Sequence, residues 1–163
     1  MKVLIIDNYD SFTFNLFQYC GEILDKNTSG IKTDIKVKRN DQICLNDLKL
    51  DKPDKIIISP GPGSPAEKKY FGVCQEIILK FGPKIPILGI CLGMQGIVHS
   101  FGGKIIHANE PMHGKISFLL HDQKGIHEKI DYVPRRGQKL LGIGVLPDLY
   151  IALIKFILKL SIE

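Results

Sequence analysis

The sequence predicts an α/β fold, a mostly parallel sheet with helices on both faces. Three observations carry the prediction. Short apolar runs alternate repeatedly with stretches of helical periodicity along the 163 residues. Several runs are continuously apolar, as strands covered on both faces are. Three of them lead into loops rich in Gly, Pro, Asp and Asn.

The elements follow in order. "KVLIID" (Lys2 to Asp7) is an apolar run bounded by Asp-Asn and reads as a buried strand. Asp10 or Ser11 can cap a helix over "FTFNLFQYCGEIL", which places Phe12, Leu16, Phe17, Cys20 and Ile23 at helical spacing. "TDIKVK" alternates and reads as a second strand. "DKIIISP" (Asp54 to Pro60) is a third, stopped by Pro-Gly-Pro-Gly. The spacing predicts a helix over Tyr70 to Phe81. "KIPILGI" reads as a fourth strand, and a glycine elbow opens a helix over Leu92 to Phe101. "GKIIHA" and "GKISFLLH" read as strands near "GG" and "EPMHG" turns. "DNYDSF", "SPGPGSP" and "GICLGMQG" each follow a strand. In a parallel sheet all three therefore share the carboxyl edge, where ligands of such folds bind.

Composition excludes several function classes. No stretch approaches a membrane span, and "MKVLIID" lacks the charged and apolar regions of a secretion signal. Cys20, Cys44, Cys74 and Cys91 have no metal-ligand spacing and read as free thiols, so a reducing cytoplasm is expected. The net charge is +5, but residues 134 to 163 carry five basic and two acidic residues and so supply most of it. Aromatic side chains are not interleaved with the basic ones as base stacking requires, and no nucleic-acid partner is expected.

"GICLGMQG" (Gly89 to Gly96) is the most informative stretch. Gly-x-Cys-x-Gly between a strand and a helix is the cysteine form of a nucleophile elbow. The glycines allow a tight turn and close approach of neighbouring chains. The sulfur then faces a helix N-terminus, whose N–H groups stabilise negative charge. The Leu92 N–H would point at an oxyanion, and the "PGPG" loop (Pro60 to Gly63) is the obvious supplier of a second donor. Taken alone, the elbow is also readable as a buried cysteine at a close strand–helix junction, and "PGPG" is more often just a rigid turn.

Five motifs in order narrow the choice: "LIIDNYDSFTFNL", "IIISPGPGSP", "PILGICLGMQ", "FGGKI" and "MHGK". Together, over about residues 1 to 127, the chain resembles the class I glutamine amidotransferases. Among them it is most similar to the glutaminase subunits of anthranilate synthase and aminodeoxychorismate synthase. The resemblance implies a flavodoxin-like fold and hydrolysis of glutamine to glutamate and ammonia. It implies delivery of the ammonia to a chorismate-aminating synthase subunit (component I) in a heteromer. Carried over by position, Cys91 is the nucleophile. Gly61, Pro62 and Gly63 bind glutamine and complete the oxyanion site with Leu92, and Gln95 contacts glutamine. "DNYDSF" and "MHGK" face the synthase subunit. No metal or organic cofactor is implied.

The chain departs from this family late. A thiol nucleophile needs a base, and the base an orienting group. The family uses the His and Glu of a "HPE" motif. Here no His follows His127, no His-Pro-Glu occurs, and His99, His107, His113, His121 and His127 stand in other contexts. The family continues toward a segment like "ATRYHSL", with further glutamine contacts, whereas this chain reads "GQKLLGIGVLPDLYIALIKFILKLSIE" and stops short of the family's usual length. Lys139 to Leu146 can be encoded AAG-CTA-CTA-GGT-ATC-GGA-GTC-TTA. Read from the last base of the lysine codon, this gives Ala-Thr-Arg-Tyr-Arg-Ser-Leu. The expectation is an incomplete family domain over residues 1–133 and a frameshifted, non-family tail over 134–163 that patches exposed core. Impaired glutaminase turnover follows. The alternatives are a catalytically dead binding subunit and a non-functional truncated product.

Overall fold

In the computed structural model, residues 1–27 and 32–106 are described. Four strands, β1 (Lys2–Asp7), β2 (Asp34–Arg39), β3 (Lys55–Ile58) and β4 (Ile87–Gly89), pair in the order β2-β1-β3-β4, every pair parallel. The helices are α1 (Thr13–Asn27), α2 (Leu45–Asp51), α3 (Lys68–Phe71), α4 (Cys74–Phe81) and α5 (Leu92–Ser100).

The strand pleat explains the two-sided core. In β1, Leu4 and Ile6 point to one face and Val3 and Ile5 to the other, all buried. Leu4 and Ile6 join Ile56, Ile58, Leu48, Phe71, Cys74, Ile77, Ile78 and Leu92 in one apolar cluster. That cluster is built by α2 to α5 on a single face of the sheet. Helix α1 buries Leu16, Cys20, Ile23 and Leu24, a stripe at helical spacing, and contacts β1 and β2. Helices thus cover both faces, and Met1–Ile105 form a compact unit.

Register brings the strand ends together. Ile6 pairs with Lys38 and Ile58, and Ile58 pairs with Gly89. The residues that follow, Asn8, Asn40, Ser59 and Cys91, therefore emerge at one edge.

The structure corrects several details. Helix α1 begins at Thr13, so Phe12 precedes it, and Asp10 rather than Ser11 supplies the early bond: its carboxylate accepts the Phe12 N–H at 2.8 Å. Phe17, one residue past Leu16, falls about 100° off the buried stripe and is exposed. The helix expected over Tyr70 to Phe81 is broken into α3 and α4. Gly72 turns to φ 51° there, and the Val73 N–H bonds the Asn40 carbonyl at 3.2 Å. Helix α2 was not anticipated. Its Asp47 carboxylate accepts the Cys44 N–H at 2.8 Å, one half of a capping box. Strand β4 is shorter than "KIPILGI" because Pro86 cannot donate to the ladder and the Lys84 and Ile85 N–H groups turn back to the Phe81 carbonyl, both at 2.8 Å. Residues 103–106 form no strand. The rest of "GKIIHA", all of "GKISFLLH" and "MHGK", and the boundary at 133/134 lie outside the described residues.

Candidate active site

Cys91 sits in the turn between β4 and α5, at the N-cap position, with φ 50° and ψ −106°. No side chain with a Cβ is comfortable there. The turn is held on both sides. Ile90 donates its N–H to the Ile58 carbonyl at 3.0 Å, Gly93 to the Ile90 carbonyl at 2.9 Å, and Gln95 to the Cys91 carbonyl at 2.9 Å. The flanking glycines explain how helix and sheet come so close. A Cβ on Gly89 would strike the Gly93 backbone, and one on Gly93 would strike the Ile58 carbonyl. The sulfur is left exposed at the carboxyl edge.

The second loop lies against this elbow. A Cβ on Gly61 would stand 2.7 Å from Leu92 Cδ2 and 2.6 Å from Asn8 Cβ, so Gly61 packs onto the first residue of α5. Gly63 adopts φ 72° and faces the Tyr70 ring. Pro62 is exposed between them. Gln95 is half-buried one turn into α5. The structure thus brings Cys91, Leu92, Gln95 and the Gly61-Pro62-Gly63 loop onto one edge.

Three buried polar side chains, not singled out from the sequence, tie that edge together. Asn8, Asn40 and Ser59 are each at most 2% exposed. The Asn8 N–H donates to Ser59 Oγ at 2.9 Å, and Asn8 Nδ2 to the Ser59 carbonyl at 2.9 Å. Asn40 Nδ2 donates to Asn8 Oδ1 at 2.8 Å and to the Tyr70 carbonyl at 2.7 Å. The only sequence signal was the position of Asn8 and Ser59 directly after apolar strands. Polar groups there are buried and must find partners.

The "DNYDSF" loop is fixed separately. Asp7 Oδ1 accepts Thr13 Oγ1 at 2.8 Å and the Asp10 N–H at 3.2 Å. Tyr9, at φ 64°, is half exposed. It donates to Asp41 Oδ2 at 2.6 Å, which holds the phenol above its ordinary pKa, and carries the Arg39 guanidinium 4.5 Å over its ring.

The remaining thiols differ from Cys91. Burial pushes Cys20 and Cys74 up to about 12, and Cys44 is exposed at the start of α2. His99 is the one histidine among the described residues. It lies eight residues along α5 from Cys91, about 12 Å at the helical rise, far beyond the reach of a base to its nucleophile. His107, His113, His121 and His127 lie outside the described residues. Among the described residues no group of three His, Cys, Asp or Glu could hold a metal, and no helix is long and apolar enough to cross a membrane.

The family model for "Glutamine amidotransferase class-I" matches residues 4–139. The chain belongs to the class-I glutamine amidotransferases. This class-I amidotransferase chain is 54% identical over 126 residues to "Anthranilate synthase component 2" of Leptospira biflexa, covering 77% of this chain and 62% of that protein. It is 47% identical over 126 residues to "Aminodeoxychorismate/anthranilate synthase component 2" of Bacillus subtilis (77% and 59%). It is 44% identical over 124 residues to "Aminodeoxychorismate synthase component 2" of Escherichia coli (76% and 60%). The chain spans about three fifths of the length of these relatives. The amidotransferase fold is thus a parallel α/β sheet of the flavodoxin-like kind, as the sequence implied.

Proposed function

We propose that this chain carries the acylating half of a glutaminase site, in a subunit that supplies ammonia to a chorismate-aminating synthase. The carrying observation is the placement of Cys91, exposed and in a strained backbone, at the start of a helix onto which the Gly61 loop packs. The relatives' names support the partner: a component I synthase subunit making anthranilate or aminodeoxychorismate. Glutamine is the substrate.

In this reading the Cys91 sulfur attacks the side-chain carbonyl of glutamine. A carbon–sulfur bond forms, and the carbonyl electron pair moves onto oxygen. The N–H groups of Leu92 and Gly63 stabilise that oxyanion. A pair of such donors in a dry site is worth several kcal/mol, roughly 10²–10³ in rate for each. Gly61, Pro62 and Gln95 hold the substrate. The tetrahedral species collapses by expelling ammonia, which needs a proton at the departing nitrogen. Water then releases glutamate from the thioester.

The base for that proton step is not found among the described residues. The chain's sequence holds no His-Pro-Glu, and His99 is too distant. Loss of the base in a triad costs about as much as loss of the whole unit, so this chain turns glutamine over far more slowly than a complete site. The test is ammonia release from glutamine by the 163-residue chain, alone and with its synthase partner, beside Cys91→Ser. Slow release abolished by Cys91→Ser is expected. Brisk turnover refutes the impairment, and release indifferent to Cys91→Ser refutes the nucleophile. The missing motif also favours a second reading, a binding subunit that docks without making ammonia. In that case the partner works with added ammonium and never with glutamine.

A further inference from the structure

We infer that Asn8 and Asn40 are positioning residues that hold the two ends of the Gly61-Pro62-Gly63 loop in register with the Leu92 N–H. The inference rests on the proposal that this loop completes an oxyanion site.

The geometry is a clamp with two arms. One arm fixes the entry of the loop. Asn8 Nδ2 donates to the Ser59 carbonyl, and Asn8's own N–H donates to Ser59 Oγ, both at 2.9 Å. Ser59 Oγ donates onward to the Pro60 carbonyl at 2.7 Å. Gly61 then rests directly on Asn8, close to both its Cβ and its carbonyl. The other arm fixes the exit. Asn40 Nδ2 bridges Asn8 Oδ1 and the Tyr70 carbonyl, and the Tyr70 ring is the surface against which Gly63 turns. Cys74 Sγ donates to the same Asn8 oxygen at 3.4 Å. Asn8 thereby uses both ends of its amide.

The chemistry explains why an amide is needed at Asn8 and an N–H donor at Asn40. Asn8 must donate to a carbonyl on one side and accept from an N–H and a thiol on the other. Asp offers no donor, and Leu of similar size offers neither. The Asn8, Asn40 and Ser59 side chains are buried and linked by these bonds, so they favour one arrangement over several. The network's strands are neighbours, β2, β1 and β3, each contributing the first residue after its end. A shift of an ångström in the loop is enough to misalign an oxyanion donor.

The experiment separates loop alignment from thiol reactivity. Each thiol of the 163-residue chain is challenged with two reagents and read by peptide mass spectrometry. Iodoacetamide alkylates a thiol without forming an oxyanion. A p-nitrophenyl ester acylates it through one: the carbon–sulfur bond forms, the carbonyl pair moves to oxygen, and p-nitrophenolate leaves. The readout is the ratio of acylation to alkylation at Cys91, with exposed Cys44 as the internal reference. In the unmodified chain the Cys91 ratio is expected to exceed that of Cys44 by 10-fold or more. Equal ratios overturn the oxyanion reading itself. In Asn8→Ala, Asn40→Ala and Asn8→Ser, the Cys91 ratio is expected to fall at least 10-fold while alkylation stays within about 2-fold. The double variant Asn8→Ala/Asn40→Ala should lose no more than the worse single one. A raised ratio that survives all three single substitutions overturns the positioning role. So does failure of all three to fold, judged by circular dichroism, since the network would then be a matter of stability alone.

Discussion

Replacing Cys91 by glycine should stabilise the protein, and replacing it by alanine should not. The backbone at Cys91 lies at φ 50° and ψ −106°. A residue with a Cβ pays about 1–3 kcal/mol to stay in such a region. Glycine escapes that strain but adds freedom to the unfolded chain, a loss of about 0.5–1 kcal/mol. The side chain is exposed, so little packing is lost with it. The net for Cys91→Gly is a gain of up to about 2.5 kcal/mol, centred on about 1, or a few degrees in Tm for a chain of this size. Cys91→Ala keeps the Cβ and the strain, and its effect should stay within about 0.5 kcal/mol of zero. Urea denaturation of the three proteins gives the difference directly. Equal stability of the glycine and alanine variants would refute the view that this turn is held against its own preference for the sake of the thiol.

Other outcomes follow from the same geometry. Gly93→Ala drives a Cβ into the Ile58 carbonyl and should cost about 1–3 kcal/mol, seen as a lowered urea midpoint. Iodoacetamide on the native chain should mark Cys91 and Cys44 and spare Cys20 and Cys74, whose buried thiols stay protonated up to about 12; peptide mapping before and after urea checks this. Those same raised values make stability fall with pH, because above the ordinary 9.0 the unfolded chain releases protons that the native chain keeps. The loss should reach about 1–1.5 kcal/mol per thiol near pH 10, so Cys20→Ala should flatten the decline of the urea midpoint between pH 8 and about pH 10. DNA over codons 128–163 should encode Ala-Thr-Arg-Tyr-x-Ser-Leu in a shifted frame from the Lys139 codon, with His-Pro-Glu downstream; its absence from both alternative frames sinks the frameshift.

The strands were legible because β1 and β3 are covered on both faces and so run apolar without a break. The elbow was legible because only glycine fits on either side of Cys91, at Gly89 and Gly93. Two kinds of feature escaped. One is local structure decided by distant partners: the break at Gly72 answers to the Asn40 backbone, thirty-odd positions away in the chain. The other is the buried Asn8–Asn40–Ser59 network. An asparagine in a loop reads as a turn residue, and only the parallel register reveals that three such residues meet. Phe17 shows the converse, an apolar residue on a plausible helical spacing that the packing leaves exposed.

In the proposed site Cys91 has its oxyanion donors but no base to complete the cycle. An activated γ-glutamyl p-nitrophenyl ester needs no proton for its leaving group, so it tests the first half alone, while glutamine tests the whole. A γ-glutamyl thioester on Cys91 is expected from the ester, found by mass spectrometry and absent from Cys44, together with scant ammonia from glutamine. Brisk ammonia release, or acylation at Cys91 no greater than at Cys44, would contradict it.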